Sequence, residues 1–342
     1  MQELIDQLID VLKEYVQKEY KNLFNAYNSI NSIGIAYKIT QGDKKNELCI
    51  RFSVEKKRCP TDLAKLKIKP IPDILNYLGW KLITDIVERT FPNIQNAKVV
   101  TNNRKNKLNP ICPGISVSND TSGAGTIGLI VKDNITNKPM ILSNWHVLKS
   151  INGSDGNTIK QPGVADYNQQ PSKSVLGNLD RNYLGEEGDC AIGEFDKTKR
   201  GFVTKIYDLN ISPKSILQNT KIEAGLNVIK SGRTTAITYG KVSAIDVKVL
   251  FNYQGNIGKV ILNTFEIEPN YGDDKLKKGN PIVDYGDSGS SWLVDEESRN
   301  DVVAGLHFHH SDGADSDGNI VRYANSCYID AVFKVLNIDL YP

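Results

Sequence analysis

One short stretch constrains this chain more than any other: Tyr285-Gly286-Asp287-Ser288-Gly289-Ser290-Ser291. A serine stands between two glycines, with an aspartate just before it. Gly286 and Gly289 relieve the steric cost of unusual backbone angles, so the run reads as a tight turn that pushes one hydroxyl out of the backbone. They also let a carbonyl group approach, so the N–H groups of Gly286 and Ser288 can point at one spot. That is how an oxyanion hole is built. The same residue types dominate ordinary hairpin turns. The run therefore acquires chemical meaning only with a base and an orienting acid elsewhere.

Both are present. The chain has four histidines: His146, His307, His309 and His310. His146 closes the apolar run Pro139–Leu148, after the small polar residues Ser143 and Asn144. Asp189 stands at the mouth of another apolar run, Gly188-Asp189-Cys190-Ala191-Ile192-Gly193. The chain order is His, then Asp, then Ser.

That order and rough spacing resemble the chymotrypsin-like serine proteases, one of several convergent orders of the triad. The resemblance covers about residues 114–340. It implies a mainly β fold, a double six-stranded β-barrel, acting on protein or peptide substrates without a cofactor. Ser288 would be the nucleophile and His146 the general base, then acid. Asp189 would hold the imidazole tautomer, and Gly286 and Ser288 would supply the oxyanion-hole N–H groups.

A chain of 342 residues suits two or three domains. Its hydrophobic content of 39 % and charged content of 24 % are ordinary for a globular protein. A net charge of +2 gives no reason to expect nucleic acid or an anionic membrane as partner. No apolar run is long enough for a membrane helix. The start, Met1-Gln2-Glu3-Leu4-Ile5-Asp6, is acidic and amphipathic, unlike a signal peptide. Five cysteines, an odd number without a CxxC spacing, point to reduced thiols and a cytoplasmic location rather than a disulfide framework or a metal site. The frequent Lys, Asn and Ile fit a bacterial source.

Residues 2–27 carry apolar side chains at helical spacing. Residues 33–39 and 47–54 read as paired strands, 72–79 as a short helix after Pro70 and Pro72, and 81–89 as a third strand. Residues 1–95 thus form a small α+β domain ahead of the barrels. Its pattern is similar to the leader domain of non-secreted bacterial trypsin-like proteases, as is the Gly232-Arg233-Thr234-Thr235 run. Arg233 itself reads as a residue that ties loops together. Residues 96–113 read as a linker, 114–222 as the barrel with His146 and Asp189, and 223–342 as the barrel with Ser288. Residues 149–174 read as a long loop and Ile329–Leu336 as a terminal helix. The loop Asp312–Asn319 resembles a calcium loop only superficially, because the two key carboxylates are missing.

The strand after the nucleophile, Ala304-Gly305-Leu306-His307-Phe308-His309-His310, lines the substrate pocket in the resembled family. His307 after Gly and an aliphatic residue is similar to glutamyl endopeptidases and to viral proteases that cut after Gln. The position that confers basic specificity in trypsin is Ile282, which argues against cutting after Lys or Arg. The expectation is a preference for Glu, Asp or Gln. The competing reading makes His307 a satisfied core histidine, with His309 and His310 exposed. The backbone of Phe308–His310 is expected to pair with substrate as an added strand.

Asp287 offers a partner for a new N-terminus freed by cleavage, with 104–113 as the place to cut, as in a zymogen. The leader domain could instead hold the pocket closed until an activating partner binds it, or Asp287 could simply bond local backbone. A cytoplasmic protease needs restraint, and the leader resemblance suggests a defence role against one protein. The alternative to an endopeptidase is a non-catalytic peptide-binding module on the same fold.

Overall fold

The computed structural model describes residues 2–40, 43–94, 103–121, 123–149, 158–166, 174–253, 256–272, 277–314 and 318–342. The remainder of the expected linker (96–102), parts of the 149–174 loop and residues 315–317 of the Asp312–Asn319 loop lie outside these.

The chain opens with helix α1 (Gln2–Ala26), whose apolar stripe buries Leu12, Val16 and Leu23. Strands β1 (Ile30–Thr40) and β2 (Asp43–Val54) form an antiparallel pair. Helix α2 is Pro60–Lys65, started by a proline whose missing N–H is no loss in a first turn. The short helix expected at 72–79 is instead strand β3 (Ile74–Tyr77), which turns back on β4 (Trp80–Glu88). The reason lies at Leu78-Gly79, both at positive φ (48° and 83°), a two-residue turn that matches strand twist.

The barrel that carries His146 and Asp189 contains β5 (Ser116–Asn119), β6 (Gly125–Thr126), β7 (Leu129–Asp133) and β8 (Pro139–Ser143). A one-turn helix, α3 (Trp145–Leu148), follows, so the run expected as one strand through Leu148 breaks after Ser143. Then come β9 (Thr158–Lys160), β10 (Val175–Gly185) and β11 (Gly188–Phe195). The sheet closes because the 125–133 segment bonds both neighbours: Ile127 N–H reaches Ile115 O at 2.9 Å and Gly128 N–H reaches Leu142 O at 2.8 Å.

The other barrel contains β13 (Asn227–Gly232), β14 (Ala236–Asn252), β15 (Lys259–Pro269), β16 (Ser291–Val294), β17 (Val302–Ala314) and β18 (Ile320–Tyr328). It runs β13-β16-β17-β18-β15-β14 and closes by β13 pairing with β14. The short β12 (Ser215–Ile216) lies beside β17. Helix α4 (Ile329–Leu336) matches the expected terminal helix, and β19 (Ile338–Leu340) returns to pair with β7. With β6 and β7 taken as one interrupted strand, each barrel has six strands, and together they make the chymotrypsin-like double barrel.

The N-terminal strands do not stand apart from this. Strand β1 pairs with β14, so one sheet runs from the second barrel through β1, β2, β4 and β3. The core is shared too: Leu12, Val16, Ile33 and Phe52 pack in one cluster with Phe265, Trp292 and Ala304. A buried ionic knot spans the seam. Arg89 meets Glu266 at 3.0 Å, Arg51 meets Asp85 at 3.4 Å, and Ser243 donates to Glu266 at 2.9 Å. Beyond β4, Thr90 and Asp312 of β17 exchange two backbone bonds of 2.8 Å. The described part of the expected linker is also packed. Arg104 is buried, bonded to Ser231 Oγ at 2.5 Å and Asp208 at 2.8 Å.

Candidate active site

Antiparallel pairing of β11 with β8, with Ala191 opposite Ser143, carries Asp189 alongside the start of α3. There Asp189 Oδ2 lies 2.6 Å from His146 Nδ1, and Oδ1 accepts the His146 backbone N–H at 3.1 Å. A carboxylate accepts, so this bond holds the proton on Nδ1 and leaves Nε2 as the basic nitrogen. Asn144 Nδ2 donates to the Asp189 carbonyl at 2.7 Å, which fixes the strand that carries the acid. The His146 side chain is 6 % exposed and that of Asp189 is fully buried.

Ser288 comes from the second barrel. Its turn is made by Gly286 at φ 100° and Gly289 at φ 90°, a region that favours glycine. A side chain at 289 would also collide, since its Cβ would stand 2.1 Å from Ser143 Oγ. The turn is stitched to the first barrel: Thr126 N–H donates to Ser288 O at 2.8 Å and Thr126 Oγ1 to Gly286 O at 2.8 Å. Ser288 Oγ itself donates to the Phe308 carbonyl at 3.0 Å in this resting arrangement.

The amides of the turn are oriented through their carbonyls. Tyr285 O accepts Thr234 Oγ1 at 2.8 Å, and Asp287 O accepts Ser290 N–H at 2.9 Å. In a trans peptide the N–H points opposite to the C=O. The Gly286 and Ser288 N–H groups are thereby turned away from those partners. Among the described residues neither amide meets an acceptor, the geometry an oxyanion needs.

Asp287 is fully buried and surrounded by donors. Thr235 Oγ1 is at 2.6 Å, Thr234 N–H at 2.8 Å, Asp284 N–H at 3.0 Å and Lys230 Nζ at 3.4 Å. Burial alone would raise this carboxyl's pKa. Lys230 and the hydrogen bonds outweigh it and hold the group below the usual carboxylate range. Arg233 does tie loops: its Nε donates to Asp166 at 2.7 Å and its backbone N–H to Thr126 Oγ1 at 3.0 Å.

All three histidines of β17 are buried, at 2 %, 4 % and 3 % exposure for His307, His309 and His310. The competing reading, which left the last two exposed, is therefore corrected on that point. Phe251 lies tilted against His309 at 4.5 Å, His309 stacks on His310 at 5.1 Å, and Tyr285 packs edge-on to His310 at 5.0 Å, so aromatic neighbours cover both rings. Burial pulls the pKa of His307 and of His309 down to about 3, and the Lys230 charge adds to the effect at His307. Among the described residues, buried His307 Nδ1 has no hydrogen-bond partner. Phe308 is fully buried, and Ile282 packs in the second-barrel core with its carbonyl held by Thr238 Oγ1 at 2.8 Å.

Three neighbours of the site were not legible as such. Tyr253 donates to Asp189 Oδ2 at 2.6 Å, Lys230 faces Asp287, and Thr126 ties the Gly286–Gly289 turn to the first barrel. Lys230 stands two residues before the Gly232–Thr235 run, which is the one signal that could have drawn attention to it. Among the described residues, no group of three or more His, Cys, Asp or Glu side chains could hold a metal ion. No described helix is long and apolar enough to cross a membrane.

The architecture is a chymotrypsin-like double β-barrel. The chain is similar in structure to a glutamic acid specific serine protease that uses a histidine triad in substrate binding. That likeness has 17 % identity and a TM-score of 0.48, over 68 % of this chain and 100 % of the other. Thermobifida fusca Protease A is similar at 15 % identity and TM-score 0.45, over 67 % and 97 % of the two chains. Cellulomonas bogoriensis chymotrypsin is similar at 14 % identity and TM-score 0.43, over 68 % and 98 %. No protein-family profile matches the chain. No curated protein matches it either.

Proposed function

We propose that this protein is a serine endopeptidase. The observation that carries the reading is the 2.6 Å contact of His146 Nδ1 with a fully buried Asp189 in the first barrel, to which Thr126 ties the double-glycine turn that carries Ser288. Ser288 Oγ swings from the Phe308 carbonyl to the His146 side, gives its proton to Nε2 and attacks the scissile carbonyl. The oxygen that becomes negative meets the Gly286 and Ser288 N–H groups. His146 then returns the proton to the leaving amine, and water hydrolyses the acyl-enzyme by the same steps in reverse.

The acceptor pocket is proposed to take Glu, Asp or Gln. The support is His307, a neutral buried imidazole with an unpartnered Nδ1, beside the charge of Lys230. A neutral imidazole can donate to an amide carbonyl, and it takes up a proton to pair with a carboxylate. The backbone of Phe308–His310 pairs with the peptide as an added strand.

Activation, in this reading, requires no captured N-terminus. Asp287 already has Lys230, Thr234, Thr235 and Asp284 as donors from within the chain. Restraint then falls to the N-terminal segment, whose Thr90 occupies the edge of β17 next to the substrate-pairing residues. The free thiols of Cys49, Cys59, Cys112, Cys190 and Cys327 suit a reducing compartment such as the cytoplasm, and a single protein target.

A peptide-library profile with wild type and His307→Ala tests the pocket. Cleavage after Glu, Asp or Gln that loses its preference in His307→Ala supports it. Cleavage after other residues, unchanged in His307→Ala, keeps the peptidase and removes the pocket.

A further inference from the structure

We propose that Tyr253 is a positioning residue of the His146–Asp189 pair, an inference that rests on the endopeptidase reading. Tyr253 directly follows β14 in the second barrel and is fully buried. Its hydroxyl donates to Asp189 Oδ2 at 2.6 Å, the same oxygen that holds His146 Nδ1 at 2.6 Å. The other oxygen, Oδ1, takes the His146 backbone N–H. Both carboxylate oxygens are thus fixed, and one of them is fixed from across the barrel interface.

The ring has little freedom. It packs edge-on against Trp145 at 6.0 Å and against Phe251 at 4.9 Å. Burial, and then the charge of Asp189, push the phenol's pKa well above its ordinary value, so the hydroxyl keeps its proton and acts as a donor. It gives Asp189 a second side-chain donor without adding charge. Without Tyr253 both donors to the carboxylate belong to His146 itself, so a rotation about the Asp189 Cβ–Cγ bond can carry the imidazole with it. Two donors on Oδ2 and one on Oδ1 remove that rotation. The barrel that supplies Tyr253 also supplies Ser288. The hydroxyl therefore ties the base to the frame of its nucleophile, which a bond confined to the first barrel cannot do.

The test is Tyr253→Phe, which keeps the ring and removes the donor. In the wild type the His146 Nδ1–H proton gives a downfield NMR resonance. In Tyr253→Phe that resonance moves further downfield, because Asp189 Oδ2 has lost a competing donor. Placing 3-fluorotyrosine at 253 keeps every packing contact, strengthens the donor and moves the resonance upfield. kcat/KM of Tyr253→Phe falls about tenfold, through kcat with KM unchanged. The same change made on an Asp189→Asn background produces no further loss. An unmoved resonance in both tyrosine replacements overturns the proposal, as does an undiminished tenfold loss on the Asp189→Asn background. A wild type that neither cleaves peptides nor reacts with a serine-directed phosphonate, while the resonance still moves, removes the peptidase reading and leaves the positioning role standing.

Discussion

Arg89, at the end of the N-terminal strands, and Glu266, in the second barrel, form a fully buried ion pair at 3.0 Å. Burial disfavours both charges. The Glu266 carboxyl nevertheless sits below its ordinary pKa, because Arg89, then Arg51 and Ser243, outweigh that burial. The pair lies at the seam where β1 joins β14. It makes the N-terminal segment a part of the barrel that carries Ser288.

Glu266→Ala leaves two buried guanidinium groups without their shared carboxylate. Breaking such a knot from one side costs about 3–5 kcal/mol. Chemical denaturation will show a loss of that order. A chain beginning at residue 114 will also fail to give a cooperative unfolding transition, since it lacks the part of the shared core contributed by α1, β1 and β2.

Gly289→Ala will abolish activity while most of the fold survives. The position combines φ 90° with a Cβ that would stand 2.3 Å from Thr126 O, which is backbone and cannot move aside. The turn must shift, and with it the Ser288 N–H. Phosphonate labelling of Ser288 is the measurement, and labelling at the wild-type rate contradicts the assignment.

Stability will fall as pH drops below about 6.5. His307 and His309 have folded pKa values pulled down to about 3 by burial, so they are neutral in the fold and protonate on unfolding. A depressed histidine contributes fully above its unfolded pKa of about 6.5 and loses that contribution on the way down. Each histidine should cost about 1.4 kcal/mol by pH 5.5. His309→Phe will flatten the pH dependence of urea unfolding between pH 7 and 5. An unchanged slope rules the histidine out as its cause.

Lys230→Met tests the internal support of the nucleophile turn. It leaves Asp287 buried with hydrogen bonds but without its cation. Stability drops by about 3–5 kcal/mol, and kcat drops because the Gly286–Ser288 amides lose their anchor. The Asp287 carboxyl is held low in the fold, so its stabilisation is present above about pH 4 and is lost as pH falls through the folded value. Lys230→Met should therefore remove part of the acid sensitivity below pH 4 in thermal melts.

The His146–Asp189 contact and the double-glycine turn at Ser288 were legible because each of these residues stands where an apolar run meets a turn. Helices at both ends were legible from their apolar spacing. The join of β1 to β14 was not. An alternating strand states which face is buried but not which strand lies beside it, and Ser32 and Val249 are far apart in the chain. Residues 72–79 read as a short helix rather than β3 because nothing in Leu78-Gly79 announces that leucine will adopt a positive φ and turn the chain back on β4. Tyr253 sits at the end of a long alternating strand, where an aromatic residue looks like core. Only tertiary contact reveals that its hydroxyl has a charged partner.

The central claim is that Ser288 is a nucleophile activated by His146. The direct test treats wild type, Ser288→Ala and His146→Ala with a serine-directed phosphonate carrying an acidic or amide side chain, and locates the label by mass spectrometry. The account predicts one label on Ser288 in wild type, none in Ser288→Ala, and labelling at least a hundredfold slower in His146→Ala, since general-base assistance is worth about 10²–10⁴. A label on another residue, or equal labelling of wild type and His146→Ala, would contradict it.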